Sequence, residues 1–247
     1  MAIKTSTNYS PNFSRKKRSK KQIKFLIFHY TGMKTESEAI NRLTEIQSEV
    51  SSHYLIKNNG EILILVPELY TAWHAGKSSW RNHKSLNKNS IGIEITNQGH
   101  RFKYKNFSKK QINSLLKISK FLKKKYNISS RNILGHSDIA PERKKDPGEK
   151  FPWKLIAKNK IGLWHTLPKQ ELAKNRTLKT CEIDKKLFLS NLFKIGYSKK
   201  NSTNFSKERY LTLVIKAFQR RFRQELINGK IDKECLFISE NLVKKFY

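Results

Sequence analysis

Two histidines stand at the ends of short apolar segments that are typical of buried strands. His29 follows the run IKFLIF at 23–28, and His136 closes a shorter segment around 132–134. Asp146 lies ten residues beyond His136, in a loop whose prolines and glycine restrict its shape. Because strand ends converge at an open edge of a sheet, these side chains form a candidate catalytic zinc set with a fourth position left for water. Spacing alone also allows three unrelated residues, since they are far apart in the chain.

Two further charged residues would complete the chemistry of such a site. Glu94 alternates with apolar neighbours in the run IGIEI at 91–95, and alternation by itself predicts a solvent-exposed strand residue. If Glu94 instead faces the same rim as His29, it can act as a general base beside a metal-bound water. Lys144 stands two residues before Asp146 and could stabilise the oxygen that gains charge during carbonyl attack. In a chain this rich in lysine, an ordinary surface position is the alternative.

The elements that must position these residues alternate between strand and helix patterns. Apolar segments at 52–57 and 61–66 flank Asn-Asn-Gly at 58–60, which predicts a hairpin. Capping patterns that begin at Thr35 and at Ser108 each precede an amphipathic helix. A hairpin combined with crossover connections predicts an α/β fold, with a mixed β-sheet flanked by helices.

Composition divides the chain into four parts. Residues 1–22 are polar and basic, which predicts an arm that is mostly without regular structure. Residues 23–165 contain the strand patterns and the candidate site, and residues 166–180 have few large apolar groups and are predicted to be a linker. Residues 181–247 are predicted to form a small three-helix domain, and few core contacts should cross a boundary near residue 175. Its predicted helices are 184–194, 206–226 and 232–246.

The charge balance predicts an anionic partner. The 247 residues include 52 Lys+Arg against 19 Asp+Glu, a net charge of +33 that suits nucleic acid, acidic lipid or an acidic wall polymer. No groove-reading motif is visible and the lysines are scattered, so no nucleic acid partner is expected. No apolar stretch approaches 18 residues, so no transmembrane helix is expected either. The two cysteines, Cys181 and Cys235, are too few for a disulfide scaffold.

Several segments resemble the zinc-dependent N-acetylmuramoyl-L-alanine amidases of type 2, the AmpD/AmiD-like group that shares its fold with peptidoglycan recognition proteins. The segments that carry the resemblance are FLIFHYTG (25–32), SSHYLIKNNGEI (51–62), AWHAGKSSW (72–80), SIGIEITNQG (90–99), ILGHSDIAPERKKDPGEKFPW (133–153) and IGLWH (161–165). The resemblance covers about residues 8–165. It implies that His29, His136 and Asp146 hold one zinc ion per chain.

The same resemblance implies the roles of the remaining catalytic positions. It assigns the catalytic glutamate to Glu94 and the lysine that polarises the carbonyl group to Lys144. The sequence departs from the family pattern at Glu149, where the family usually has a proline. This change is expected to alter the rim of the cleft and to leave the metal ligands unchanged.

Five further residues are expected to contact substrate: Tyr30, His53, Trp73, His74 and Arg143. Trp73 and His74 lie in one loop segment, where aromatic faces would stack on sugar rings or peptide stems. Arg143 would pair with a carboxylate of the stem peptide, because a guanidinium binds carboxylates through two hydrogen bonds. Trp73 and His53 have a core position as their alternative.

The C-terminal part resembles the small three-helix peptidoglycan-binding domain that is appended to such amidases. AFQRRF at 217–222 and NGKID at 228–232 carry this resemblance. The alternative is a helical cap that only packs on the catalytic domain.

Together these resemblances imply a zinc hydrolase that cuts the amide bond between N-acetylmuramic acid and L-alanine, in peptidoglycan or in (anhydro)muropeptides. A non-catalytic peptidoglycan-binding protein is the alternative, and the presence of all five catalytic positions favours the enzyme. A wall-binding domain predicts a location in the cell envelope, periplasmic or secreted. The absence of a visible signal peptide leaves the cytoplasm as the alternative. The sequence leaves the oligomeric state and the choice between intact wall and soluble muropeptides open.

Overall fold

The computed structural model describes residues 5–199 and 205–247. In these residues the strands are β1 Thr5–Thr7, β2 Phe13–Ser14, β3 Phe25–Tyr30, β4 Tyr54–Ile56, β5 Ile62–Ile64, β6 Thr71–Ala72, β7 Ser79–Trp80, β8 His83–Lys84, β9 Ser90–Ile95 and β10 Ile133–Gly135. The helices are α1 Glu36–Thr44, α2 Lys109–Lys125, α3 His136–Ile139, α4 Trp153–Lys158, α5 Lys169–Asn175, α6 Glu182–Ile195, α7 Lys207–Phe222 and α8 Lys233–Phe246.

The central sheet has six strands in the order β1-β5-β4-β9-β3-β10. Strand β3 is parallel to both of its neighbours, β9 and β10, and β4 is parallel to β9 but antiparallel to β5. The predicted hairpin joins β4 to β5, and Gly60 takes a φ of +86° in its turn, which a residue with a Cβ rarely adopts. The predicted α/β fold, with a mixed sheet flanked by helices, is confirmed.

One face of the sheet is covered by α2. Leu26 and Phe28 of β3 belong to the same core cluster as Leu115 and Leu122 of α2. The helix begins at a full capping box, in which Ser108 and the residue three positions later bond each other's backbone N–H groups. The predicted amphipathic helix therefore packs its apolar face against the sheet.

The opposite face of the sheet is covered in part by the C-terminal helices. Phe25 and Ile27 of β3 belong to a core cluster that also contains Phe218 and Phe222 of α7. Side chains alternate between the faces of a strand, so His29 projects from the same face as Phe25 and Ile27. This is the face on which the candidate site lies, and the three predicted C-terminal helices correspond to α6, α7 and α8.

The predicted N-terminal arm is folded from residue 5 onward, which corrects the interpretation of residues 5–22, while residues 1–4 lie outside the described part of the chain. Strand β1 pairs with β5 at the edge of the sheet. The side-chain amide of Asn12, 1% exposed, donates a hydrogen bond to the carbonyl oxygen of Val50. Arg18 is also buried and donates to the carbonyl oxygen of Glu68. Composition misled here because these polar side chains bind backbone carbonyls instead of water.

The predicted linker at 166–180 also contains regular structure. It includes α5, whose Leu172 is buried in the core cluster of the C-terminal helices. Arg176 donates two hydrogen bonds of 2.7 Å to Glu234 of α8, whose side chain is 1% exposed. Although the segment has few apolar groups, it is attached to the helices by this ion pair as well as by burial of Leu172.

The expectation that few core contacts cross residue 175 is wrong. The cluster that contains Phe25 also contains residues from α6, α7 and α8. Gly196 lies so close to Trp80 that a Cβ there would be 2.4 Å from the indole ring. The N–H of Arg81 donates to the carbonyl of Gly196 at 2.7 Å. The C-terminal helices therefore complete one core together with the sheet. No helix in the described residues is long and apolar enough to cross a lipid bilayer.

We expect a chain that ends at residue 175 to lose its native structure. Each large apolar side chain that becomes exposed costs about 1.5–3 kcal/mol, so uncovering a few of them approaches the total stability of a typical domain, about 5–15 kcal/mol. Thermal unfolding and binding of a hydrophobic dye would measure the loss. As a control, Ile183→Ala changes a side chain that is 77% exposed and should leave the midpoint unchanged. A truncated chain with the midpoint of the full chain would contradict the shared core.

Candidate metal centre and active site

The structure brings two histidines and an aspartate together beside the ends of β3 and β10. His29 is the penultimate residue of β3, and His136 begins α3 directly after β10. The Nδ1 atoms of the two histidines are 2.9 Å apart, and each lies 3.0 Å from Oδ2 of Asp146. All three side chains are buried. His136 and Asp146 line a cleft of about 700 Å³.

The proton of His136 is placed by a backbone carbonyl. Its Nε2 lies 3.2 Å from the carbonyl oxygen of Ala75. A carbonyl oxygen can only accept, so Nε2 carries the proton. The Nδ1 atom of His136 therefore presents a lone pair.

The proton of His29 is placed by a longer chain of contacts. Ser90 donates its hydroxyl proton to the carbonyl oxygen of Leu86 at 2.6 Å, which leaves its oxygen to accept from Nε2 of His74 at 3.0 Å. Nδ1 of His74 is then an acceptor, and Nε2 of His29 donates to it at 3.0 Å. The Nδ1 atom of His29 consequently also presents a lone pair.

Three electron-pair donors thus point into one small volume, with no proton of their own between them. Such an arrangement is repulsive unless a cation lies among the donors. Two imidazole nitrogens and a carboxylate oxygen are a common ligand set for a divalent metal ion. The residues that are present therefore fit a metal centre.

The protonation states also suit metal binding. Burial, followed by the neighbouring His136, lowers the pKa of His29 to about 4, and burial also lowers the pKa of His136. Burial opposes ionisation of Asp146, whereas a positive charge between this carboxyl and the two histidines favours ionisation, and the pKa of the carboxyl lies well below its usual range. Neutral histidines and an ionised aspartate are the forms that bind a metal ion.

Glu94 faces the same site. It pairs with His29 in the register between β3 and β9, and its Oε1 lies 4.0 Å from Nδ1 of that histidine. Its side chain is 13% exposed, and its Oε2 is buried without a hydrogen-bond partner among the described residues. Burial, and then the charge of Asp146, raise the pKa of Glu94 to about 8, while Lys144 acts in the opposite direction. The alternative of an exposed strand residue is therefore wrong.

Lys144 and Arg143 both line the cleft. The charge of Lys144 acts on Glu94 and on His29, which places it beside the candidate site. The guanidinium of Arg143 donates to the carbonyl oxygens of Ala75 and Lys77. Arg143 therefore braces the loop whose carbonyl orients His136, in addition to facing the cleft.

The other predicted substrate contacts divide into two groups. Tyr30 and Trp73 line the cleft, as expected of residues that meet a substrate. His74 also borders it, but its ring is 8% exposed and both of its nitrogens bind protein groups. His53 is fully buried, and its Nδ1 accepts from the N–H of Gly92. These contacts make His53 a core residue, which corrects its assignment. They also show that His74 positions His29, while its contact with substrate stays a prediction.

Sequence reasoning missed three residues around the site. Ser90 ends the chain of contacts behind His29, and no sequence pattern distinguishes it from other serines. Gly92 could have been identified from the sequence, because a glycine inside a strand often marks a site where another group approaches the backbone closely. His100 lines the cleft. Its Nδ1 lies 2.9 Å from Oη of Tyr30, and its Nε2 lies 3.0 Å from Oε2 of Glu149. Glu149, where the sequence departs from the family pattern, thus contacts a residue that lines the cleft.

We expect Gly92→Ala to displace His74. A Cβ at position 92 would stand 2.4 Å from the imidazole Cγ of that histidine, although the backbone angles there suit any residue. Overpacking of this kind costs about 1–3 kcal/mol, which urea unfolding would measure. In a double-mutant cycle, His74→Ala should relieve the clash, so the double variant should lose less stability than the sum of the single variants. Strictly additive losses would contradict the close contact.

Comparisons with known proteins agree with this arrangement. The profile of the N-acetylmuramoyl-L-alanine amidase family matches residues 19–149. The chain is 38% identical over 237 residues to the N-acetylmuramoyl-L-alanine amidase AmiD of Escherichia coli K12, covering 91% of this chain and 84% of that protein.

Two solved structures share the fold over nearly the whole chain. The E. coli AmiD complex with anhydro-N-acetylmuramic acid-L-Ala-D-gamma-Glu-L-Lys superposes with a TM-score of 0.78, 37% identity and coverage of 91% of this chain and 90% of the other. AmpDh3 from Pseudomonas aeruginosa superposes with a TM-score of 0.77, 30% identity and coverage of 94% of both chains. Because the family profile matches more than half of the chain, and because AmiD is 38% identical over most of both chains and shares the fold, the chain belongs to the N-acetylmuramoyl-L-alanine amidase family.

Proposed function

We propose that the protein is a zinc-dependent amidase that cuts the bond between N-acetylmuramic acid and the L-alanine of a stem peptide. The convergence of His29, His136 and Asp146, with their lone pairs directed into one volume, carries this proposal. Two histidines and one carboxylate are a known catalytic zinc set, and one position remains for water or substrate.

The chain's own residues supply the proton transfers. When bound, zinc acts as a Lewis acid and makes water a stronger nucleophile at neutral pH. Glu94 takes a proton from the attacking water and delivers it to the nitrogen of the leaving amine. A bound divalent cation would lower its raised pKa and so favour the ionised carboxylate, whose Oε2 has no hydrogen-bond partner among the described residues. Lys144 directs a positive charge into the cleft, where it stabilises the negative charge that develops on the carbonyl oxygen.

The cleft suits a muropeptide. Its volume of about 700 Å³ accommodates a sugar and a few amino acids, and Tyr30 and Trp73 offer aromatic surface at its wall. The AmiD complex contains an anhydro-muropeptide as substrate. We propose the same class of substrate for this protein, and the convergence of all five catalytic positions favours an enzyme over a binding protein.

We further propose that the protein acts in the cell envelope and that its C-terminal helices help to retain it on peptidoglycan. The net charge of +33 supports attraction to an anionic wall. Retention on purified sacculi in 0.1 M and 1 M salt tests the electrostatic part, because the Debye length falls from about 10 Å to about 3 Å. Equally weak retention under both conditions would contradict the proposal.

We expect the purified protein to contain about one zinc ion per chain, as in other mononuclear catalytic sites. A chelator should abolish hydrolysis of a soluble muropeptide, and added zinc should restore it. His136→Ala should prevent metal uptake, whereas His83→Ala changes a histidine outside the site and should not. Metal analysis and product detection by mass spectrometry would provide both measurements. Full activity in a metal-free preparation would refute the zinc mechanism.

We expect Glu94→Gln to retain zinc and the fold while turnover falls by about 10²- to 10⁴-fold, the usual contribution of a general base. The amide keeps the volume of the side chain but cannot take up the proton. The kcat on a soluble muropeptide, measured beside the zinc content of the same sample, separates loss of chemistry from loss of metal. Near-normal kcat in a zinc-loaded variant would show that another group is the base.

A further inference from the structure

Asp138 connects the turn that carries His136 to the C-terminal helices. Its Oδ2 accepts from the backbone N–H of Gly135 at 2.8 Å, which closes the turn around His136. The same carboxylate accepts from two side chains of the C-terminal part, Arg221 at 2.6 Å and Tyr197 at 2.8 Å. Both oxygens of Asp138 thus accept hydrogen bonds from residues of the C-terminal part, Oδ2 from Arg221 and Oδ1 from Tyr197.

Arg221 also holds the other end of this segment. Its Nη2 donates to the carbonyl oxygen of Ile133 at 2.9 Å, while its Nη1 binds Asp138. The guanidinium lies 4.4 Å from the ring centre of Trp153. One side chain of α7 therefore spans residues 133 to 138, and His136 lies between the two points of attachment.

This contact is shielded from water. The side chains of Arg221 and Asp138 are 3% and 1% exposed. Loss of one partner from a buried ion pair leaves a charge without compensation, and the surrounding backbone must then move or admit water. His136 is two residues from Asp138, in the same short turn, so such a movement would change the position of its Nδ1 relative to His29.

We propose that Arg221 and Tyr197 are positioning residues that hold His136 in its metal-binding position. The C-terminal helices would then support the metal centre, apart from any contact with the wall. This inference rests on the proposed function, in which His136 is a zinc ligand. Changes to groups that orient a metal ligand typically lower metal affinity by about 10- to 100-fold.

The test compares two arginines near the same end of α7. Arg221→Met removes the contact with Asp138, and Arg223→Met removes a buried ion pair with Asp232 and Glu234, within the C-terminal part alone. Zinc affinity would be measured by competition with a chelator, and ligand geometry by the visible absorption of the cobalt-substituted full-length protein. Thermal unfolding of each variant would record its loss of stability separately.

We expect Arg221→Met to lose about 10- to 100-fold in zinc affinity and to change the cobalt spectrum. Arg223→Met should lose stability but keep the affinity and the spectrum of the unchanged protein. Wild-type affinity and spectrum in Arg221→Met would overturn the inference, and so would equal losses of affinity in both variants. If the unchanged protein bound neither metal, the proposed function itself would fail.

If Arg221→Met does not fold, Tyr197→Phe decides the question. This variant removes a single O–H donor from Asp138 and keeps the aromatic ring, which packs at 4.9 Å between ring centres against Trp80. A lower zinc affinity or an altered cobalt spectrum in the folded variant would support the inference. Unchanged values of both would overturn it.

Discussion

Two imidazole nitrogens and a carboxylate can bind one metal ion together only if their protons lie elsewhere. The structure meets this constraint through two backbone carbonyls. The carbonyl of Ala75 fixes the proton of His136, and the carbonyl of Leu86 fixes that of His29 through Ser90 and His74. The close packing of His74 on Gly92 belongs to the same arrangement, since the ring there contacts both His29 and Ser90. Residues behind the candidate metal ligands therefore fix which nitrogen of each histidine faces the metal site.

The alternation of side chains between the two faces of the sheet determines which residues can reach the candidate site. In β3 the side chains that face α2 are apolar, while the opposite face carries Phe25, Ile27 and then His29. The register with β9 places Glu94 beside His29 on that face. The C-terminal helices cover the apolar part of the face and leave its polar end open to the cleft. The site thus lies on the part of this sheet face that the C-terminal helices do not cover.

The sequence predicted the parts of this arrangement that depend on local pattern. Strand ends and capping residues located His29, His136 and α2. Residue type and spacing made Asp146, Glu94 and Lys144 candidates, and the resemblance to a known family assigned their roles. It could not separate His53 and His74 from substrate contacts, because a core histidine and a cleft histidine follow the same pattern of neighbours.

Long-range polar contacts were equally invisible in the sequence. Arg221 and Asp138 are 83 positions apart, and no periodicity links them. The polar arm at the N-terminus was misread for a related reason. The backbone carbonyls that satisfy Asn12 and Arg18 come from loops whose positions only the folded chain defines.

The shared core has a consequence for biosynthesis. The contact between Arg221 and Ile133 spans 88 positions, and Phe25 shares its cluster with Phe222. One face of the sheet must therefore stay uncovered until α7 has left the ribosome, at a synthesis rate of about 5–20 residues per second. During this interval the nascent chain exposes apolar strands that later lie against α7. The shared core can form only after α7 has emerged, so this helix limits how soon the nascent sheet is protected from aggregation.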